Sequence, residues 1–307
     1  MTAESCQRRV PPRLRPGDRL GVVAPASPFD AEIFARGLSV LEQSGFRVVV
    51  SEEAFRSEGY LAGLDPVRAA TVNRMFADPS IDGIICAKGG FGSMRILPLL
   101  DWEQIRSNPK VFIGFSDITA LLSALGSTCD MIVFHGPVVT SLAKAPPETR
   151  QAMLDAVATV KTVRIRPSRG VTLRSGRVSG IFHGGNLTTL CHLVGTPFQP
   201  SFRERILFLE DRGEAPYRID RMLFQLKLSG CFEGLAGLVL GSFEDCGPLD
   251  EIYRIITAVF DDVPIPILAG IDAGHGAQNL TLPMGLEASL DADEGLLAFH
   301  GPATMER

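Results

Sequence analysis

The chain lacks the marks of several common functional classes. Its six cysteines, Cys6, Cys86, Cys129, Cys191, Cys231 and Cys246, include no C-x-x-C pair, so neither a zinc ribbon nor a dithiol redox centre is suggested. No run of eighteen uncharged apolar residues occurs, and the richest stretch, GLAGLVLGSF, stops at Glu244 and Asp245, so no membrane span is expected. No charge dominates either. The 30 basic and 35 acidic residues are mixed along the chain and leave a net charge of −5, which argues against nucleic acid or an anionic membrane as partner. The opening MTAESCQRRVPPRLRPGDRL follows its basic residues with prolines and more charge, where an export leader needs an apolar run. Scattered cysteines without a leader fit a reducing, cytoplasmic setting. Cys86 and Cys191 lie in apolar contexts and read as small buried hydrophobes.

What the chain does contain is a globular composition, 45% hydrophobic and 21% charged, organised in two textures. From Arg19 to about Lys161, short β-branched runs alternate with helical patterns, as strands joined by crossover helices in a parallel sheet would. The expected strands are RLGVVA, RVVV, GIICA, VFIG and MIVF, and PVRAATVNRMFA reads as a helix opened by Pro66. The texture changes at TVRIRPSRGVTLRSGRVSG, rich in Arg, Gly, Ser and Thr, which places a boundary near residues 162 to 175. Beyond it come strands RILFLE and GLVLGSF, helices YRIDRMLFQLKLSG and LDEIYRIITAVF, and a Gly- and Pro-rich tail with short strands such as LLAF. The expected fold is therefore α/β, with a parallel-sheet domain over residues 1–165 and a smaller mixed α/β domain over residues 166–307.

Several segments carry residue types suited to chemistry. VFIGFSDITALLSAL sets Ser116 between a buried strand and a helix read as amphipathic, at the carboxyl edge where open α/β sheets bind ligands and beside helix N-terminal amides. It resembles a nucleophile elbow, although Ile118 stands where the second glycine of G-x-S-x-G would be. Cap preference offers the other reading, Ser116 or Asp117 as a helix cap. In GIICAKGGFGSM, Gly89, Gly90 and Gly92 form a turn after a strand that fits an anion or oxyanion cradle, or simply a tight βα turn. It matches neither the dinucleotide nor the Walker spacing.

Only five histidines, His135, His183, His192, His275 and His300, can supply a general base. His275 lies between Gly274 and Gly276 in a loop able to hold an imidazole in an unusual position. His192 reads as a half-buried packing residue, His135 as a reserve base, and His183 and His300 as strand-end or turn residues. RILFLEDRGEAPYRIDRML delivers Glu210 to a strand end, where a carboxylate can accept the Nδ1–H of such a base. Asp211, Glu214 and Asp220 read as caps and solvated charges.

Together AKGGFGSMRILPLLD, VFIGFSDITALL, IFHGGNLTTLCHLVGTP, ILFLEDRGEAPYRIDRML and AGHGAQNLTLPMG, with the opening GVVAPASP, resemble the LD-carboxypeptidase family, which includes the microcin C self-immunity peptidases. The resemblance implies a flavodoxin- or glutamine-amidotransferase-like first domain carrying Ser116 and a second domain carrying Glu210 and His275. The three would form a Ser-Glu-His triad, with the Gly90 and Asp117 amides as oxyanion hole. It further implies a cytoplasmic homodimer with no metal or other cofactor, a serine carboxypeptidase removing terminal D-alanine from murein tetrapeptides by cutting an L,D bond. Lys88 and Phe91 depart from the arginine and tyrosine common beside this glycine turn, which bears on substrate preference.

A substrate carboxylate calls for a cation, and Lys88, Arg95, Arg212 and Arg218 are candidates, with Gly89 also expected at the substrate. Two other readings remain: an aminoacyl-nucleotide conjugate as substrate, and a non-catalytic protein that binds a small anion. Relatives of the first kind tend to carry an aromatic residue on an inserted loop, whereas the lone Trp102 lies beside the glycine-turn helix. Retention of both Ser116 and His275 disfavours the second.

Overall fold

The computed structural model describes residues 8–307; Cys6 and the rest of the first seven residues lie outside the described residues. The strands in chain order begin with β1 (Arg19–Val23), β2 (Arg47–Val50), β3 (Gly83–Cys86), β4 (Val111–Gly114) and β5 (Val133–His135). Then come β6 (Thr162–Ile165), β7 (Val171–Arg174), β8 (Arg177–Asn186), β9 (Arg205–Arg212), β10 (Gly237–Glu244) and β11 (Ile267–Ala269). The last are β12 (Leu282–Met284), β13 (Glu287–Asp291) and β14 (Leu296–Pro302).

The first sheet runs β12-β5-β4-β3-β1-β2. Its first five strands are parallel in the flavodoxin order 2-1-3-4-5, and β12 joins them antiparallel from the far end of the chain. Every residue of β3 and β4 is buried, as strands with helices on both faces require. The order reverses between β1 and β3, so the carboxyl ends of these strands open a crevice. That crevice receives both the Gly89–Gly92 turn after β3 and Ser116 after β4.

The second sheet runs β6-β14-β13-β8-β9-β10-β11-β7, with a parallel centre from β8 to β11 and antiparallel strands on both sides. The helices Pro216–Leu228 and Leu249–Val259 cover it through a separate apolar cluster of Leu207, Leu209, Ile219, Leu223, Ile252 and Ile256. Sheet membership changes between β5 and β6, so the division expected at 165/166 falls one strand later than the change, and β12 crosses back. The Arg- and Ser-rich stretch expected to be a boundary forms β6, β7 and the start of β8. Its polar residues lie on the exposed parts of the two edge strands β6 and β7 and of the start of β8.

The helix Thr119–Thr128 differs from its expected amphipathic character, since Thr119 to Gly126 are all buried. One side lies on the first sheet and another against β8, where the position of a Gly126 β-carbon would be 3.3 Å from His183 Nε2. It is a wedge between the sheets. His183 accordingly sits inside β8 and is buried, rather than at a strand end or turn, while His192 at the end of the helix Leu187–His192 is exposed rather than half-buried.

Candidate active site

Ser116 follows β4 with φ of +64°, left-handed backbone that an L-residue adopts only at a cost of about 1–2 kcal/mol. Such strain is what a sharp strand-to-helix turn requires to lift a side chain above a sheet edge. The cap reading does not hold: neither Ser116 nor Asp117 makes a side-chain capping bond to the helix that follows. The Asp117 carboxylate instead accepts the Ser93 N–H at 2.8 Å, and the Ser93 hydroxyl donates to the Asp117 carbonyl. Burial pushes the Asp117 carboxyl upward, partly offset by the Ser93 bonds. This latch ties the glycine turn to the serine.

The turn itself packs against Ser116 without room for side chains. A β-carbon on Gly89 would lie 2.9 Å from Ser116 Cβ, and one on Gly90, where φ is +104°, would lie 2.4 Å from Ser27 Oγ. Ser27, just past β1, donates its N–H to the Gly89 carbonyl and accepts the Phe91 N–H, which fixes the turn. The Gly90 and Asp117 N–H groups donate to nothing among the described residues.

The second sheet supplies the imidazole and its carboxylate. His275 Nε2 lies 3.0 Å from Ser116 Oγ, and its Nδ1 lies 2.6 Å from Glu210 Oε2. Glu210, near the end of β9, is fully buried, while His275 retains 14% side-chain exposure. Burial works to lower the His275 pKa, but the Glu210 hydrogen bond and charge together outweigh it, and the net direction is upward. The loop is shaped for this contact. At Gly274, φ is +110° and a β-carbon would fall 2.5 Å from Glu210 Oε2, so both conformation and space exclude a side chain.

Several supporting residues were not legible beforehand. Asp211, expected as a cap or solvated charge, is buried on β9 and accepts from Asn186 Nδ2, the Thr188 N–H and the Thr188 hydroxyl, with its carboxyl pushed up by burial. The Asn186 N–H donates to Thr119 Oγ1, linking β8 to the helix behind Ser116. Asn279 Oδ1 accepts the Gly274 N–H, and the Asn279 N–H donates to Thr149 Oγ1, which pins the His275 loop to the first sheet's side. The segments HGGN and AQNLT held the signal, as polar residues beside glycines at buried strand ends.

The cation candidates separate clearly. Arg95 pairs with Asp65, Arg212 with Asp245 at an exposed position, and Arg218 with Glu214. Lys88, half-buried one residue before the glycine turn, donates to the Pro28 carbonyl at 3.0 Å and has no carboxylate partner among the described residues. Among those residues no cluster of three or more His, Cys, Asp or Glu side chains is arranged to hold a metal. No helix among them is long and apolar enough to cross a membrane. A cavity of about 760 Å³ lies on the outer face of β13 and β14, and none of its lining residues belongs to this site.

A left-handed serine, an imidazole and a buried carboxylate in series at the edge of a doubly wound sheet are the arrangement that hydrolases of the acyl-transfer type use. Comparison with known proteins gives the lineage: residues 20–136 match the LD-carboxypeptidase N-terminal domain and residues 179–290 the LD-carboxypeptidase C-terminal domain. The chain belongs to the LD-carboxypeptidase family. It is 39% identical to a putative carboxypeptidase of Streptomyces coelicolor over 95% of this chain and 96% of that one. It is 35% identical to a probable murein peptide carboxypeptidase of Bacillus subtilis over 92% of each. The wild-type microcin C7 self-immunity protein in its apo state superposes with a TM-score of 0.89 at 28% identity, covering 97% of this chain and all of that one.

Proposed function

We propose that this protein is a serine carboxypeptidase that releases terminal D-alanine from murein tetrapeptide, with Ser116 as nucleophile, His275 as general base and Glu210 as the group that orients the base and stabilises its protonated form. The observation that carries the reading is the unbroken series from Ser116 Oγ through His275 to buried Glu210, set on a left-handed serine. His275 takes the hydroxyl proton as Oγ attacks the scissile carbonyl, and the oxyanion forms where the Gly90 and Asp117 amides can donate to it. Collapse breaks the C–N bond, and protonated His275 gives its proton to the leaving amine. Water then attacks the acyl-enzyme by the same base and frees Ser116. Lys88 is the cation offered to the substrate carboxylate, a role supported by its lack of a carboxylate partner; Gly89 lines the approach, and Arg212 is the weaker candidate because Asp245 holds it.

The expected setting is the cytoplasm and the expected assembly a homodimer. The family resemblance implies both, and five buried free thiols among the described residues fit a reducing compartment. The second substrate reading, an aminoacyl-nucleotide conjugate, draws support from the likeness to the self-immunity protein. Against it, the only tryptophan, Trp102, opens the helix Trp102–Ser107 and packs on Phe198 rather than standing on an inserted loop. Incubation with L-Ala-γ-D-Glu-meso-diaminopimelate-D-Ala decides between them. Release of free D-alanine is expected, and cleavage of an aminoacyl sulfamoyl adenosine with the tetrapeptide left intact would replace the murein reading.

A further inference from the structure

Below the Ser116–His275–Glu210 series lies a second imidazole that the reaction as written does not use. His135 ends β5, opposite Gly114 of β4 and Leu282 of β12, and is fully buried. Its ring meets Phe208 edge-on at 5.0 Å between centroids and Phe115 at 5.9 Å, while Phe115 also packs on His275 at 4.9 Å. Phe208 precedes Glu210 by two positions on β9, so their side chains leave the same face of that strand. His135 and Glu210 are therefore neighbours on one side of β9.

Neither His135 nitrogen has a hydrogen-bond partner among the described residues, and Glu210 Oε1, the oxygen not engaged by His275, has none either. The Thr281 hydroxyl, buried against Gly136 next in the chain to His135, is a further orphan. Buried polar atoms left bare are rare, and several in one place mark a site for an internal water, which needs two to four polar partners. Burial holds His135 at a pKa of about 4, so it is neutral at physiological pH and presents one N–H donor and one acceptor. A carboxylate oxygen needs such a donor.

We propose that His135 is a positioning residue for the catalytic series: it donates, through one buried water, to the free oxygen of Glu210 and so fixes the carboxylate that orients His275. This rests on the proposed roles of Ser116, His275 and Glu210. Glu210 from β9 and His275 from the loop after β11 act on His135 through their charges, while Asp211, buried on the opposite face of β9, and Arg212 act on His275. With the donor removed, the carboxylate is less well stabilised and attracts the His275 proton more strongly. The His275 midpoint should then move further up.

Nitrogen-15 histidine NMR on the full chain reads that midpoint without substrate. His135→Phe, which suits the surrounding phenylalanine rings, is expected to raise it by about one unit. His135→Gln, which restores a donor, should bring it back toward the wild-type value. In turnover of the murein tetrapeptide, His135→Phe should lower kcat about tenfold with KM unchanged. A folded His135→Phe protein with the His275 midpoint and kcat unmoved overturns the proposal. So does a high-resolution crystal structure of the wild type with no water between His135 and Glu210 Oε1, a check that depends on no variant. Failure of the triad reading is a separate result, seen as retained activity in Ser116→Ala whatever the midpoint does.

Discussion

Two serine–histidine pairs occur among the described residues, and the shorter one is not at the proposed active site. Ser289 Oγ lies 2.6 Å from His300 Nε2 on the β13–β14 hairpin, against 3.0 Å for Ser116 and His275. The hairpin pair even has an acid nearby, with Glu287 Oε1 3.8 Å from His300 Nδ1. What it lacks is environment. His300 and Glu287 are 43% and 58% exposed, so water competes for both partners and screens their charges, whereas Glu210 is fully buried. Ser289 sits in a regular strand and shares its hydroxyl with Ser179, while Ser116 is held at φ +64° beside two amides that have no acceptor among the described residues. A contact between serine and histidine is thus not a site until burial, a paired carboxylate and a strained backbone surround it.

The largest effect that can break this comparison comes from replacing Ser116. Ser116→Ala should lower kcat by about 10⁴-fold or more, and Ser116→Ala combined with His275→Ala should cost little beyond either change alone, because the members act as a unit. Steady-state rates on the tetrapeptide, with circular dichroism to confirm folding, read both. Next in size is Glu210→Gln, expected to lower kcat by roughly 10²–10⁴-fold. Its pH profile carries the sign. A raised His275 pKa means that the wild-type base is lost by protonation below a point above the ordinary histidine value of 6.5, so the acid limb of kcat/KM should sit there. With the anion neutralised, that limb should move to lower pH.

A smaller effect is expected from Gly274→Ala, which forces a β-carbon toward Glu210 Oε2 at a left-handed position; thermal unfolding should report roughly 1–3 kcal/mol of lost stability along with reduced turnover. The smallest belongs to the hairpin. Ser289→Ala and His300→Ala should leave kcat within about twofold of wild type, as exposed surface substitutions do.

The sequence made the strands of the first sheet readable as short hydrophobic runs, and two residues of the proposed series lie where such runs end, Ser116 after VFIG and Glu210 after RILFL, while His275 is marked by the glycines on either side of it. It hid what depends on packing between distant segments. Asp211 read as solvent-facing because the buried run was taken to stop at Glu210. β9 in fact continues to Arg212, so adjacent residues are buried on opposite faces and Asp211 serves Asn186 and Thr188 rather than His275. The helix after Ser116 read as amphipathic because nothing local says that β8 will cover its second side. His183 was misplaced for the same reason, since its strand begins among exposed arginines and serines and becomes buried only where it meets that helix.

The central claim is that environment, not proximity, selects Ser116 over Ser289. Stoichiometric reaction of the intact protein with a serine-reactive fluorophosphonate, mapped by peptide mass spectrometry, tests it directly. The account requires one label per chain, on Ser116, lost in Glu210→Gln or His275→Ala and unaffected by His300→Ala. Labelling at Ser289, or full turnover by protein whose Ser116 is fully labelled, would contradict it.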